Sequence, residues 1–354
     1  MIRKNRKYQN WIWAGVLLAQ FLFFYLVSLN SEMNRRLENF FEIQKGLHQK
    51  VFSLATFSIG DLFYIVFIAF FAATLWRLRN KKKRSKTIFL LLITANLLHF
   101  FYQIFWGGLY FQKPIYSLET IRQPTEEQLK SLTLYYLERA KSSREEVHED
   151  EQGVFTIKEL NALQSEILLN QKKALRDQPH ISPTGINNFK PSLFGKIMNY
   201  TGILGYYNPF TSEAQYNAHL PSTNLPFTLA HESAHQLGYA REQEANFIAF
   251  LIGQDSNNPE LRYSTNYTVL KHLLWAIHEE DPNFVRSIVD NYSIPMKKDY
   301  RNEQNFYNNH AGLLSQLFLF TNDLFLKSNR QEGRVTYSYF IQLLNRYHLD
   351  KQGK

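Results

Sequence analysis

The chain contains no cysteine, which excludes disulfides, thiolate nucleophiles and cysteine-ligated zinc fingers together. That absence leaves the compartment open, because an extracytoplasmic protein does not require a disulfide. No internal repeat or low-complexity tract is present, so a repeat architecture is excluded as well. Long hydrophobic runs are missing beyond Phe111, whereas before it there are three. They run from Trp11 to Leu29, from Leu62 to Trp76 with an apolar lead-in from Val51, and from Ile88 to Trp106, each close to the length that crosses a bilayer. The first lacks a small-x-small cleavage site and therefore reads as an uncleaved anchor.

Acidic residues are absent from the two stretches where basic ones concentrate. Arg3, Lys4, Arg6 and Lys7 precede the first run, and Arg77, Arg79, Lys81, Lys82, Lys83, Arg84 and Lys86 separate the second from the third. Together they exceed the net charge of +9, so the remainder of the chain is slightly acidic. The basicity belongs to the lipid bilayer as partner, and no nucleic acid is expected. Basic loops stay on the cytoplasmic side, so the first span runs outward, the second returns, the third exits, and everything from about Tyr110 is extracytoplasmic. Residues 30–50 read as a loop of mixed charge. Gln20 and Asp61 read as a tolerated amide and an acid at the membrane interface. The expected organisation is a membrane domain, 1–110, with spans at about 11–29, 56–76 and 88–106, followed by a second domain, 111–354.

In the second region, Thr125-Glu126-Glu127 starts a helix with Leu129, Leu132, Tyr135, Tyr136 and Ala140 on one face. Another is expected from about Ile157 to Arg176. Between Ile181 and Pro226, prolines and glycines break the chain into short pieces. Ile203 to Tyr207 and Glu213 to Leu220 read as two strands joined through Asn208-Pro209-Phe210-Thr211. An exposed strand edge there can hold an extended peptide. Helices follow at Tyr263 to Glu279, Pro282 to Tyr292, Gln304 to Lys327 and Tyr337 to Tyr347, with a loop around Gly333. The tail of histidines includes His272 and His278, which read as packing or surface residues.

The chemistry concentrates in His231-Glu232-Ser233-Ala234-His235. Histidines four apart project from one helix face, so both imidazoles can bind one zinc while Glu232 stands beside its open position. Ser222-Thr223-Asn224 followed by Leu225-Pro226 predicts a capped helix entrance, and Gly238 a left-handed stop. On the next helix Glu242, Ala245, Asn246 and Ala249 share a face. The alanines permit close approach, Glu242 supplies a third ligand, and Asn246 accepts a hydrogen bond from a ligand histidine. Glu244 is the competing ligand, but it lies roughly 200° around the axis from Glu242, so register favours Glu242. Three protein ligands leave zinc a position for water, and Glu232 is the expected general base. The donor that stabilises a tetrahedral oxyanion is open among His310, Tyr337, Tyr339 and Arg241.

The segment from Gly205 to Ala214, then Pro226-Phe227-Thr228 leading into HESAHQLGYAREQEANFIA, resembles a bacterial family of membrane-anchored proteins described as a domain of unknown function. That family's layout, three amino-terminal spans and then a zincin-like region, is similar to the whole chain. The HExxH array with its following ExxxN also resembles gluzincin peptidases. By that likeness His231, His235 and Glu242 match the metal ligands, Glu232 the base, and Asn246 a position where Asp is commoner. Gluzincins usually place the third ligand further along the chain. The resemblance implies a mainly α chain, three transmembrane helices followed by a zincin-like α+β domain with a small sheet, in the inner or cytoplasmic membrane. It implies a zinc metallopeptidase acting on peptide or protein substrates of the envelope. A membrane sensor or scaffold with a structural or signalling zinc site is the alternative, and the oligomeric state is left open.

Overall fold

In a computed structural model of the chain, residues 2–116, 121–178, 180–328 and 336–352 are described. Among them the chain is mainly helical with one small sheet, as the sequence predicts. It divides into two compact units, Met1–Gln112 with Asn208–Glu213, and Lys113–Tyr207 with Ala214–Lys354.

The first unit contains α1 (Ile2–Ser28), α2 (Ser31–Phe52), α3 (Ile59–Leu78), α4 (Arg84–Phe105) and a 3-10 turn, Gly107–Phe111. Three of these helices are long and apolar enough to cross a membrane: Arg6–Ser28 within α1, then α3 and α4. They make this a membrane-anchored protein. Helix α1 packs along α4 through a polar seam in an otherwise apolar contact. Gln20 Nε2 donates to Asn96 Oδ1 at 2.9 Å, Asn96 Nδ2 to the Trp13 carbonyl at 3.1 Å, and His99 Nδ1 lies 3.1 Å from Gln20 Oε1. Gln20, read from sequence as a tolerated amide, thus has partners on the facing helix, as amides buried among spans generally do. Asp61 is buried in the first turn of α3, where its N–H donates to Ser58 Oγ at 3.0 Å. The Glu213 carboxylate completes that cap, accepting from the Ile59 and Gly60 N–H groups at 2.9 and 2.6 Å.

Helix α2 corrects the expectation of a loop at 30–50. Asn30 Oδ1 caps it by accepting from Met33 N at 3.0 Å. Its mixed charges are helix-spaced pairs, Glu32 with Arg35 and Arg36, and Glu42 with Lys45. Pairs of this spacing support a helix, and reading them by composition alone hides the period.

The second unit contains α5 (Glu126–Arg144), α6 (Leu160–Ala174), β1 (Phe189–Pro191), α7 (Gly195–Thr201), all but the last residue of β2 (Gly205–Asn208), all but the first of β3 (Glu213–Tyr216), α8 (Leu225–Leu237) and α9 (Glu242–Gly253). Then come α10 (Pro259–Ile277), α11 (Pro282–Asp290), α12 (Ile294–His310), α13 (Leu313–Ser328) and α14 (Thr336–Gln352). The single helix expected over Gln304 to Lys327 is two, separated at Ala311 and Gly312; the Gly333 loop lies outside the described residues. The sheet has the order β1-β3-β2, with β1 parallel to β3 in the register Phe189↔Ala214. Strand β1 is three residues long, too short a segment to carry a readable alternation in the sequence.

Two apolar clusters hold this unit. One joins α5, α10 and α14 through Tyr136, Leu137, Tyr263, Tyr267, Leu270 and Phe340. The other brings α6 onto α8 and α9 through Leu163, Ile167, Ala230, Ala234, Leu237, Ala245 and Ile248. Burying a leucine or isoleucine at such a position contributes about 1.5–3 kcal/mol, so α6 is a substantial brace behind α8. The alanines on α8 and α9 are fully buried, and their small side chains let the two helices approach closely.

Candidate metal centre

Helix α8 starts without the side-chain cap expected of the Ser222-Thr223-Asn224 cluster. Asn224 stands at the N-cap but makes no capping bond; its amide donates to the Tyr307 hydroxyl at 2.9 Å and its oxygen accepts from Lys271 Nζ at 2.8 Å. Ser264 of α10 takes over, its Oγ accepting from Phe227 N at 3.1 Å and donating to the Thr223 carbonyl at 2.7 Å. Tertiary packing thus fixes the start of the helix. Its end is as predicted, at Gly238 with φ 108°, a left-handed conformation that costs glycine nothing.

From that turn the chain returns at once into α9, and Glu242 converges on the two histidines. His231 Nε2 lies 3.2 Å from Glu242 Oε2, and His235 Nε2 lies 3.7 Å from Glu242 Oε1. One donor atom from each of the three lies within 4.8 Å of the others. Each imidazole is held from behind through Nδ1. His231 Nδ1 donates to Asn246 Oδ1 at 2.8 Å, one turn beyond Glu242, and His235 Nδ1 donates to the Tyr239 carbonyl at 2.6 Å. Both bonds leave Nε2 directed at the shared point, the arrangement that metal-binding histidines use.

Glu232 is 3% exposed, and its Oε2 has no hydrogen-bond partner among the described residues. Strand β2 walls it in. A Cβ built on Gly205 would stand 2.7 Å from Glu232 Oε1, so the carboxylate occupies the space that any other side chain at 205 would need. Burial, opposed by the His231 charge and aided by that of Glu242, raises the Glu232 carboxyl to about 8. For His231, burial pulls downward, but the Glu242 hydrogen bond and charge, then Glu232 and Asn246, prevail and raise it to about 9. His235 is lowered by burial to about 4, with the Glu242 charge opposing. Glu242 itself is 35% exposed; burial works against its charge, yet the His231 hydrogen bond and the charges of both histidines hold it at about 2. The Glu242 carboxylate thus favours the charged form of His231, while burial disfavours that of His235.

Two imidazoles and a carboxylate are a donor set suited to zinc, and the buried, unpartnered Glu232 oxygen beside them suits a proton acceptor. Glu244 is committed elsewhere, its Oε1 accepting from Ile115 N and from Arg241 Nη1, both at 3.0 Å. His310 lies against α7, its ring 4.9 Å from Tyr200 and its Nε2 3.4 Å from Asn199 Nδ2. Tyr339 is half-buried on α14, and the Tyr337 side chain lies outside the described residues. His272, which the sequence reads as packing, rests its ring on Phe340 at 5.1 Å, and burial, then the Lys271 and His231 charges, lower it to about 4. Neither Gly205 nor the Tyr239 carbonyl was singled out for this site, since a missing side chain and a main-chain oxygen leave no residue-type signal.

A model of the family described as "Protein of unknown function (DUF3810)" matches residues 37–345. The chain belongs to that family. Its matched region runs from within α2 into α14 and includes His231, Glu232, His235, Glu242 and Asn246. No curated protein and no solved structure matches the chain.

Proposed function

We propose that this chain is a membrane-anchored, zinc-dependent metallopeptidase of gluzincin-like type that hydrolyses peptide bonds in envelope proteins or peptides. The observation that carries the reading is the convergence of His231 Nε2, His235 Nε2 and the Glu242 carboxylate beside a buried Glu232. Zinc in such a site supplies a Lewis acid that makes water a competent nucleophile near neutral pH. Asn246 and the Tyr239 carbonyl hold the ring tautomers that present Nε2. Glu232 in its carboxylate form would accept a proton from water and return it to the leaving amine. Strand β2 lies at the sheet edge with Gly205 against Glu232, and an extended peptide paired there would bring its carbonyl past the base. The basic turn between α3 and α4 supports a cytoplasmic location for that turn and an extracytoplasmic one for the second unit.

The test compares the wild type with Glu232→Gln, both purified in detergent and loaded with zinc. Metal analysis should find equal zinc in the two, and hydrolysis of a peptide library should fall by about 10²–10⁴-fold in the variant. Equal turnover removes Glu232 from the reaction. Bound zinc without hydrolysis in either protein would favour a structural or signalling site.

A further inference from the structure

We propose that α2 lies in the membrane–water interface, its exposed apolar stripe immersed among lipid acyl chains. Phe40, Ile43, Leu47 and Val51 recur at three- and four-residue spacing and fall within an arc of about 80° on the helix. They are 41%, 79%, 63% and 53% exposed; Phe40 stacks one side of its ring on Phe105, and the stripe otherwise stays uncovered among the described residues. The helix has two further sectors. Phe41, Gln44, Lys45 and Gln49 are buried, and Arg35, Asn39 and Lys50 face solvent on the other flank. A buried face, an apolar exposed face and a polar exposed face are what a helix needs where protein, hydrocarbon and water meet.

The bilayer is the occupant because of what flanks the helix. Only residues 29 and 30 separate Ser28, the end of the first candidate span, from α2, and Ile59 starts the next after residues 53–58. Both ends of α2 are therefore tethered to spans on one face of the membrane, opposite the Arg77–Lys86 basic turn. Crossing is excluded by Glu32, Arg35, Arg36, Glu38, Glu42, Lys45 and Lys50, too many charges for a segment of 22 residues. Lying flat, the helix extends about 33 Å along the surface. Its acidic and basic residues are mixed, so hydrocarbon burial holds it with no requirement for anionic headgroups. The inference is independent of the chemistry at His231.

The absence of native cysteine makes the test direct. Single variants Ile43→Cys and Leu47→Cys on the stripe, with Arg35→Cys and Asn39→Cys as controls, are spin-labelled in the full chain and reconstituted into phosphatidylcholine vesicles. Collision rates are measured with oxygen, which partitions into lipid, and with a water-soluble nickel chelate. The oxygen-to-nickel ratio should be several-fold higher at 43 and 47 than at 35 and 39, and unchanged when phosphatidylglycerol is added. Ratios on the stripe equal to the controls would overturn the proposal. So would exclusion of both reagents with spin–spin broadening, which marks a second copy of the chain on that face. Phe40→Cys and Val51→Cys provide a second stripe pair should either first variant fail to fold.

Discussion

Replacing Gly205 by alanine tests whether the backbone of β2 is a wall of the site. The added methyl would stand 2.7 Å from Oε1 and 2.8 Å from Cγ of Glu232, and 2.9 Å from the main-chain oxygen of Gln215. Turning the Glu232 side chain relieves the first two contacts. The third persists, because the Gln215 oxygen belongs to the adjacent strand and moves only with the sheet. Overpacking of this kind costs about 1–3 kcal/mol. For a domain of this size about 2–4 °C is lost per kcal/mol, so thermal unfolding in detergent should shift down by roughly 2–12 °C. The displaced carboxylate no longer faces the shared point of the histidines, and the proposed hydrolysis should fall toward the level of Glu232→Gln, with zinc still bound.

Gly202→Ala is the control. Gly202 has φ +76° and open space around its Cβ direction, so alanine there meets only backbone strain, about 1–2 kcal/mol. Stability should fall while hydrolysis persists. In a Glu232→Ala background the cost of Gly205→Ala should shrink, with a coupling of about 0.5–3 kcal/mol expected for groups in contact. An unchanged melting temperature and full turnover in Gly205→Ala would refute the argument, as would strict additivity in the double variant.

Two further predictions concern groups behind the site and away from it. Asn246→Ala removes the acceptor for His231 Nδ1 and should weaken zinc binding about 10–100-fold in a chelator competition, while Asn246→Asp retains affinity; equal binding by all three proteins would deny Asn246 its orienting role. His348 is held at about 4 by burial, then by the Lys351 and Arg139 charges, against 6.5 when unfolded, while its Nε2 lies 2.8 Å from the Tyr136 hydroxyl. Because the folded form binds fewer protons, the contribution is complete above pH 6.5 and is lost as pH falls through about 4. Its size, discounted for partial exposure, is about 1–3 kcal/mol. Unfolding midpoints followed over that window should slope for the wild type and flatten for His348→Gln; equal slopes would place the acid sensitivity elsewhere.

What the sequence makes legible here follows physical period. The three apolar runs appear as long helices because each is long and uninterrupted, and the zinc-type helix is legible in its four-residue histidine spacing and its terminal glycine. Convergence of Glu242 follows from the same logic, since the turn at Gly238 has only one short path back. Helix α2 was not legible as a helix because its charges draw attention from the stripe at Phe40, Ile43 and Leu47. The start of α8 failed differently: Asn224 has the composition of a cap, but the side chains of Tyr307 and Lys271, distant in sequence, claim it first. Capping residues identify themselves locally, whereas competition for them is settled by tertiary partners.

The short spacing between His235 and Glu242 has a consequence for how the two histidines are held. Bringing the Glu242 carboxylate back to the histidines within a few residues forces the chain through a tight return, and that return passes its Tyr239 carbonyl directly behind His235. The oxygen that orients one imidazole is therefore a by-product of the turn that delivers the carboxylate. His231, one helical turn earlier, is out of reach of that loop and needs a side chain, which α9 provides at Asn246. The two supports differ in what can change them. Asn246 can be substituted at one position, but the Tyr239 carbonyl is moved only by altering the Gly238 turn, which would displace Glu242 as well. The short spacing thus couples the orientation of His235 to placement of the Glu242 carboxylate, and leaves only His231 open to independent tuning.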